Sequence, residues 1–85
     1  MKKGISETEY FNNTKSFFEH KKGTLLRTYA NADGEKIKKG SLIVIIEKMQ
    51  KVRFGDLIHV NRFYVQDLNT NVEIGGVMAS HICLD

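Results

Sequence analysis

The 85-residue chain has no proline, no tryptophan and one cysteine, and each scarcity closes off a class of protein. Cys83 has no intrachain partner for a disulfide, so the fold must rest on packing, and a reducing compartment, the cytoplasm, is the expected location. The lack of proline argues against a linker-like or disordered chain. No apolar run approaches the roughly 20 residues of a membrane-spanning helix, and Met1-Lys2-Lys3-Gly4-Ile5-Ser6-Glu7 turns polar where a signal peptide needs an apolar stretch. No membrane association is expected. Neither a phosphate loop nor a nucleophile elbow occurs, so the chain reads as non-enzymatic and without a cofactor. His59, His81 and Cys83 lack the paired spacing of a structural zinc site, which leaves no metal expected.

What the chain does have is ordinary globular composition, 41% hydrophobic and 27% charged residues, in a length that makes one domain. A domain of this size buries only about 60–65% of the surface its unfolded chain exposes, so its stability margin is small. Leu42-Ile43-Val44-Ile45-Ile46 stands out. Five successive aliphatic residues, all but Leu42 β-branched, predict a central strand buried on both faces.

Ile5-Ser6-Glu7-Thr8-Glu9-Tyr10 carries a complete helix start, with Ser6 as N-cap, Glu9 closing a capping box, and Ile5 and Tyr10 placed as a hydrophobic staple. Cations and a glycine at Lys21-Lys22-Gly23 suggest the stop, which predicts one amphipathic helix from about Glu7 to Lys22. Tyr10, Phe11, Phe17 and Phe18 form its aromatic stripe, which either covers one end of the remaining fold or makes a homodimer interface.

Thr24 to Tyr29 reads as a first strand, Ala30 to Gly40 as a long polar loop with an Asp33-Gly34 turn, and Leu57 to Val65 as a long strand whose alternation changes phase near Asn61-Arg62. Asp67 to Asn71 is a hairpin loop, Val72 to Val77 a strand, Ala79-Ser80-His81 a single helical turn and Ile82-Cys83-Leu84 a closing strand. This last run, from Ile74-Gly75-Gly76-Val77 through Leu84, resembles the end of an SH3-like barrel, where a glycine-containing strand meets one 3₁₀ turn and a short final strand. The resemblance covers Thr24 to Leu84 and implies an α+β fold: an N-terminal helix followed by a five-stranded, mostly antiparallel SH3-like barrel. The aromatic and proline positions of peptide-binding SH3 domains are missing, so a proline-rich ligand is not expected.

The net charge of +3 is unevenly spread. Residues 36–62 carry Lys36, Lys38, Lys39, Lys48, Lys51, Arg53 and Arg62 against Glu47 and Asp56, a balance of +5, whereas residues 63–85 hold only Asp67, Glu73 and Asp85. Together with Phe54 and Tyr64, those seven cations form the mixture a single-stranded nucleic-acid surface needs, charges for phosphates and rings for bases. A solvated lysine-rich loop beside core aromatics explains the same residues equally well. RNA is the favoured partner. In size, lysine content and lack of tryptophan the chain is also similar to small early proteins of T4-like bacteriophages, a group with an RNA-binding inhibitor of the ToxN ribonuclease toxin; that resemblance implies stoichiometric, antitoxin-like inhibition in a host cytoplasm. The alternative is a protein-binding inhibitor or adaptor whose basic face docks an acidic host protein.

Overall fold

A computed structural model of the chain describes residues 3–49, 52–59 and 61–85, with the backbone alone at 52–54 and 57–59. In order along the chain lie α1 (Glu7–Asn12), α2 (Lys15–Phe18), β1 (Lys22–Leu25), β2 (Tyr29–Ala30), β3 (Lys36–Ile37), β4 (Leu42–Met49), β5 (Val52–Phe54), β6 (Leu57–His59), β7 (Arg62–Asp67), β8 (Glu73–Met78), a 3₁₀ turn (Ala79–His81) and β9 (Ile82–Leu84). Five strands make one antiparallel sheet in the order β8-β7-β4-β1-β9, and β2-β3 and β5-β6 are two small hairpins. The fold is α+β. Among the described residues β8 and β9, at the two ends of the order, are not paired to each other.

The Leu42–Ile46 run is the middle strand of the sheet, but it is not buried on both sides. Ile43 and Ile45 are fully buried, Val44 and Ile46 are half-buried, and Leu42 is 51% exposed. The reason is that α1 and α2 cover one face of the sheet only, so the pleat turns alternate side chains outward. A bulge at Ile46 then shifts the register, pairing Glu47 with Tyr64 and Lys48 with Phe63.

The expected single helix is two. Ser6 Oγ accepts the Glu9 N–H at 3.1 Å, and Glu9 Oε1 accepts the Ser6 N–H at 3.4 Å, so α1 starts on the capping box read from the sequence. It stops after Asn12 because polar side chains offer the backbone other partners: Asn13 Nδ2 donates to Glu9 O at 2.8 Å, and Thr14 Oγ1 accepts the Phe17 N–H as the N-cap of α2. The chain leaves the helical region at Glu19 (ψ 130°) and turns at His20 (φ 67°), whose N–H bonds to Ile45 O, so Lys22 and Gly23 belong to β1 and not to a helix terminus. Gly23 is required there by a close approach: a Cβ would lie 2.4 Å from Cys83 O on β9.

Helix splitting also divides the aromatic stripe. Tyr10 and Phe18 are buried against Phe63, with ring centroids 5.3 and 4.8 Å from it, while Phe11 and Phe17 stay exposed at 60% and 44%. Tyr10 and Phe18 are thus core residues, unavailable to a dimer interface as the chain stands.

Other boundaries move for local reasons. The first strand ends at Leu25, and Tyr29 pairs instead with Ile37 across the β2-β3 hairpin. That hairpin replaces the long polar loop. Its turn is held by Asn31 Oδ1, which accepts N–H groups of Asp33 and Glu35, and by Gly34 at φ 84°. Ile37, within the supposed loop, is fully buried. The phase change at Asn61-Arg62 is a strand break: β6 ends at His59 and β7 begins at Arg62, with Asn61 at φ 64°. The Asp67–Asn71 turn, the 3₁₀ turn and β9 lie where the sequence predicts them.

Candidate nucleic-acid interface

Six of the nine sequence-predicted contact residues have described side chains, and those six play different roles. Lys36, Lys38 and Lys39 are exposed at the base of the β2-β3 hairpin and the turn that follows it. Lys51 lies outside the described residues, as do the side chains of Arg53 and Phe54. Lys48 is a structural residue: its Nζ donates to Tyr10 O at 2.6 Å and to Asn13 O at 2.7 Å and sits 4.4 Å from the centre of the Tyr10 ring. The bulge at Ile46 put it on the helix side of the sheet, where it neutralises the carbonyl end of α1. This corrects its placement on a phosphate-binding face.

Tyr64 is also committed. Its ring lies over Gly75, where a Cβ would come within 3.1 Å of it, and interaction with the Glu73 carboxylate, followed by burial, raises the phenol pKa. A carboxylate beside the ring disfavours a phosphate there. Phe63, a further stacking candidate, is fully buried.

A different set of cations converges. Lys39 N–H donates to Thr28 Oγ1 at 3.0 Å and Gly40 N–H to Leu25 O at 2.7 Å, so the Lys38-Lys39 turn folds back on the segment that carries Arg27. The next residue inward, Leu26, donates its N–H to His81 O at 2.7 Å, which brings Arg27 to the 3₁₀ turn. On the other side of His81, Arg62 pairs in register with Met78 and its Nη1 donates to Gly76 O at 3.3 Å. These bonds bring the backbone at Arg27 and the strand that carries Arg62 to the two sides of the 3₁₀ turn that carries His81.

Tyr29 holds the centre of this group. Its Oη accepts the Met78 N–H at 3.1 Å and lies 2.6 Å from His81 Nδ1. The phenol and Nδ1 bond as donor and acceptor or the reverse, according to the imidazole tautomer. Burial lowers the His81 pKa below its ordinary value, and the charges of Arg27 and then Arg62 lower it further. Among the described residues the one ion pair joins Lys15 to Glu47, so no carboxylate neutralises Arg27, Lys36, Lys38 or Lys39.

No family model, curated protein or solved structure matches this chain. Its chemistry is therefore read from its own residues.

Sequence reasoning missed Arg27, Tyr29 and His81. Arg27 precedes the basic segment, and Tyr29 and His81 are 52 residues apart. The Arg27-Thr28-Tyr29 run, a cation beside an aromatic at the end of a strand, was the available signal. Among the described residues no group of three or more His, Cys, Asp or Glu side chains is placed to hold a metal ion, and no helix is long and apolar enough to cross a membrane.

Proposed function

We propose that this chain is a small, non-catalytic RNA-binding protein of SH3-like barrel type that acts by stoichiometric binding. The observation that carries the reading is the junction of Arg27 with Lys38-Lys39 on one side and with His81 and Arg62 on the other. Among the described residues Arg27, Lys36, Lys38 and Lys39 have no carboxylate partner, and such cations hold a counterion atmosphere that a polyphosphate displaces, with a gain in entropy that makes binding salt-dependent. The strand order β9-β1-β4-β7-β8, with hairpins inserted after β1 and β4 and the 3₁₀ turn before β9, supports the SH3-like reading. A role as a phage-encoded inhibitor of a host toxin ribonuclease, acting in the host cytoplasm, belongs to the same proposal and draws on the sequence resemblance alone.

The test is purification without nuclease followed by the ratio of absorbance at 260 and 280 nm, which three tyrosines and no tryptophan make sensitive to bound RNA. A gel shift with single-stranded RNA should weaken steeply with salt. Reversing charge at Arg27, Lys36, Lys38 and Lys39 should weaken it far more than replacing Lys48. Protein free of nucleic acid that shifts no RNA at low salt would reject the reading.

Exposed Phe11 and Phe17, with Lys21 Nζ 4.5 Å from the Phe17 ring centre, favour a second reading: a protein-binding inhibitor or adaptor, or a homodimer, that uses these rings. It predicts a protein partner recovered in a pull-down that survives nuclease.

A further inference from the structure

We propose that the cavity between Glu7, Asn61 and the 3₁₀ turn is a pocket for one guanine base of bound RNA. The inference rests on the RNA-binding reading and adds to it the base that the protein prefers. The cavity has a volume of about 200 Å³, with Glu7, Asn61 and Ser80 among its polar walls and Ile5, Met78 and Ala79 as its apolar ones. A cavity of about 150 Å³ already takes one benzene ring, so the space suits a small flat ligand. Glu7, Met78 and Ser80 are exposed, and the cavity opens to solvent there.

Backbone contacts fix its walls. Ile5 N–H donates to Ala79 O and Ile82 O, both at 3.0 Å, Ala79 N–H donates to Asn61 O at 2.8 Å, and a Cβ on Gly4 would lie 1.8 Å from Ser80 O. The pocket is therefore formed without a ligand. Asn61 Nδ2 donates to Glu7 Oε1 at 3.1 Å, which sets the orientation of the amide. Its Oδ1 is then a buried acceptor with no partner among the described residues. Such atoms are nearly always paired in folded proteins, so an unpaired one in a residue that lines a cavity marks a place for a donor. The Glu7 carboxylate supplies further acceptors, and among the described residues no cation forms an ion pair with it.

The ligand that fits these walls is a flat body with adjacent N–H donors. Guanine is such a base: N1–H and the 2-amino group lie side by side and face the carboxylate as two donors, and the second amino hydrogen goes to Asn61 Oδ1 once the amide turns to meet it. Adenine and cytosine set a bare ring nitrogen beside their amino group, and uracil flanks its N–H with carbonyls, so each would oppose an acceptor to the carboxylate. The Met78 thioether suits the aromatic body. The pocket also adjoins the cations. The turn that forms one wall accepts the Leu26 N–H at His81 O, and Thr28 accepts the Lys39 N–H, so the backbone at Arg27 lies between this turn and Lys38-Lys39. A strand whose phosphates lie over those cations can place one base in the cavity.

The probes are GMP, AMP, CMP, UMP and IMP, the last of which keeps N1–H and lacks the 2-amino group, added to the full chain labelled with nitrogen-15. GMP should move the amide resonances of residues 5–7, 61 and 78–80 at several-fold lower concentration than any of the other four. A uridine oligomer with one central guanosine should bind several-fold tighter than the all-uridine RNA. Glu7→Gln should remove that preference and leave the salt dependence of binding unchanged.

GMP that leaves those amides unmoved, or moves them no more readily than UMP does, overturns the pocket, and this readout needs no variant. If all-uridine RNA binds with steep salt dependence and the guanosine adds nothing, the RNA reading stands and the pocket alone fails. If GMP enters the cavity and no RNA binds at low salt, the pocket stands as a site for a free guanine nucleotide and the RNA reading fails. Ethylguanidinium that moves the same amides where GMP does not would assign the cavity to an arginine side chain of a protein partner and overturn the base pocket.

Discussion

The Tyr29 hydroxyl lies 2.6 Å from His81 Nδ1 and accepts the Met78 N–H at 3.1 Å, so one phenol ties the β2-β3 hairpin to the end of β8 and to the 3₁₀ turn. The phenol joins the hairpin to the β8 end and the turn that follows it, beside the backbone bond from Leu26 N–H to His81 O.

Tyr29→Phe tests that tie. It removes the hydroxyl and leaves both a backbone N–H and a ring nitrogen without their partner, a loss worth about 1–3 kcal/mol when such groups stay shielded from water. Urea denaturation should show a lower midpoint at an unchanged slope. A midpoint equal to the wild type would mean that water replaces the hydroxyl at no cost.

A second prediction concerns pH. Burial, with Arg27 and Arg62, lowers the His81 pKa in the folded protein below its ordinary value of 6.5. Between the two values the unfolded chain holds a proton that the folded chain lacks, so stability is complete above about pH 6.5 and declines as pH falls through the folded-state pKa. His81→Asn should flatten the stability profile in that window. A variant whose profile runs parallel to the wild type would remove His81 as the cause.

Lys48→Met separates structure from function. The ammonium bonds two carbonyls of the α1 region, Tyr10 O and Asn13 O, and hydrogen bonds to charged groups are worth about 1.5–3 kcal/mol. Thermal unfolding should therefore shift down. RNA affinity should keep the same dependence on salt concentration, since Lys48 neutralises no phosphate; a shallower slope would return it to the binding surface.

Phe17 and Phe18 are adjacent in sequence and opposite in role. Phe18 is fully buried against Phe63, so Phe18→Ala should cost about 3–5 kcal/mol, while Phe17→Ser at an exposed ring should stay within about 0.5 kcal/mol. If the exposed rings mediate self-association, Phe17→Ser should also lower the mass measured by light scattering. A wild type that is already monomeric would reject the dimer.

Local rules were legible in the amino-acid order wherever the signal and the structure it specifies lie within a few residues. The Ser6–Glu9 capping box and the Asp67–Asn71 turn depend on side chains bonding the backbone beside them, the Ala79–His81 turn on a backbone bond from Ile82 N–H to Ala79 O, and all three are present. Leu42–Ile46 was recognisable as the middle of a sheet from its β-branched run alone. Whether both of its faces would be covered was not, because that depends on how much helix the rest of the chain can lay over it.

Charge placement shows the same division. Composition along the chain identified the excess of cations from Lys36 to Arg62, but the bulge at Ile46 turned Lys48 inward and the Tyr64 ring packs over Gly75. Leu26 N–H bonds to His81 O and brings the backbone at Arg27 to the 3₁₀ turn, a pairing 55 residues apart that no local pattern announces. Periodicity and capping are properties of neighbours in sequence and can be read from it directly. Which cations share a surface follows from strand register and sheet order, and only the folded chain decides those.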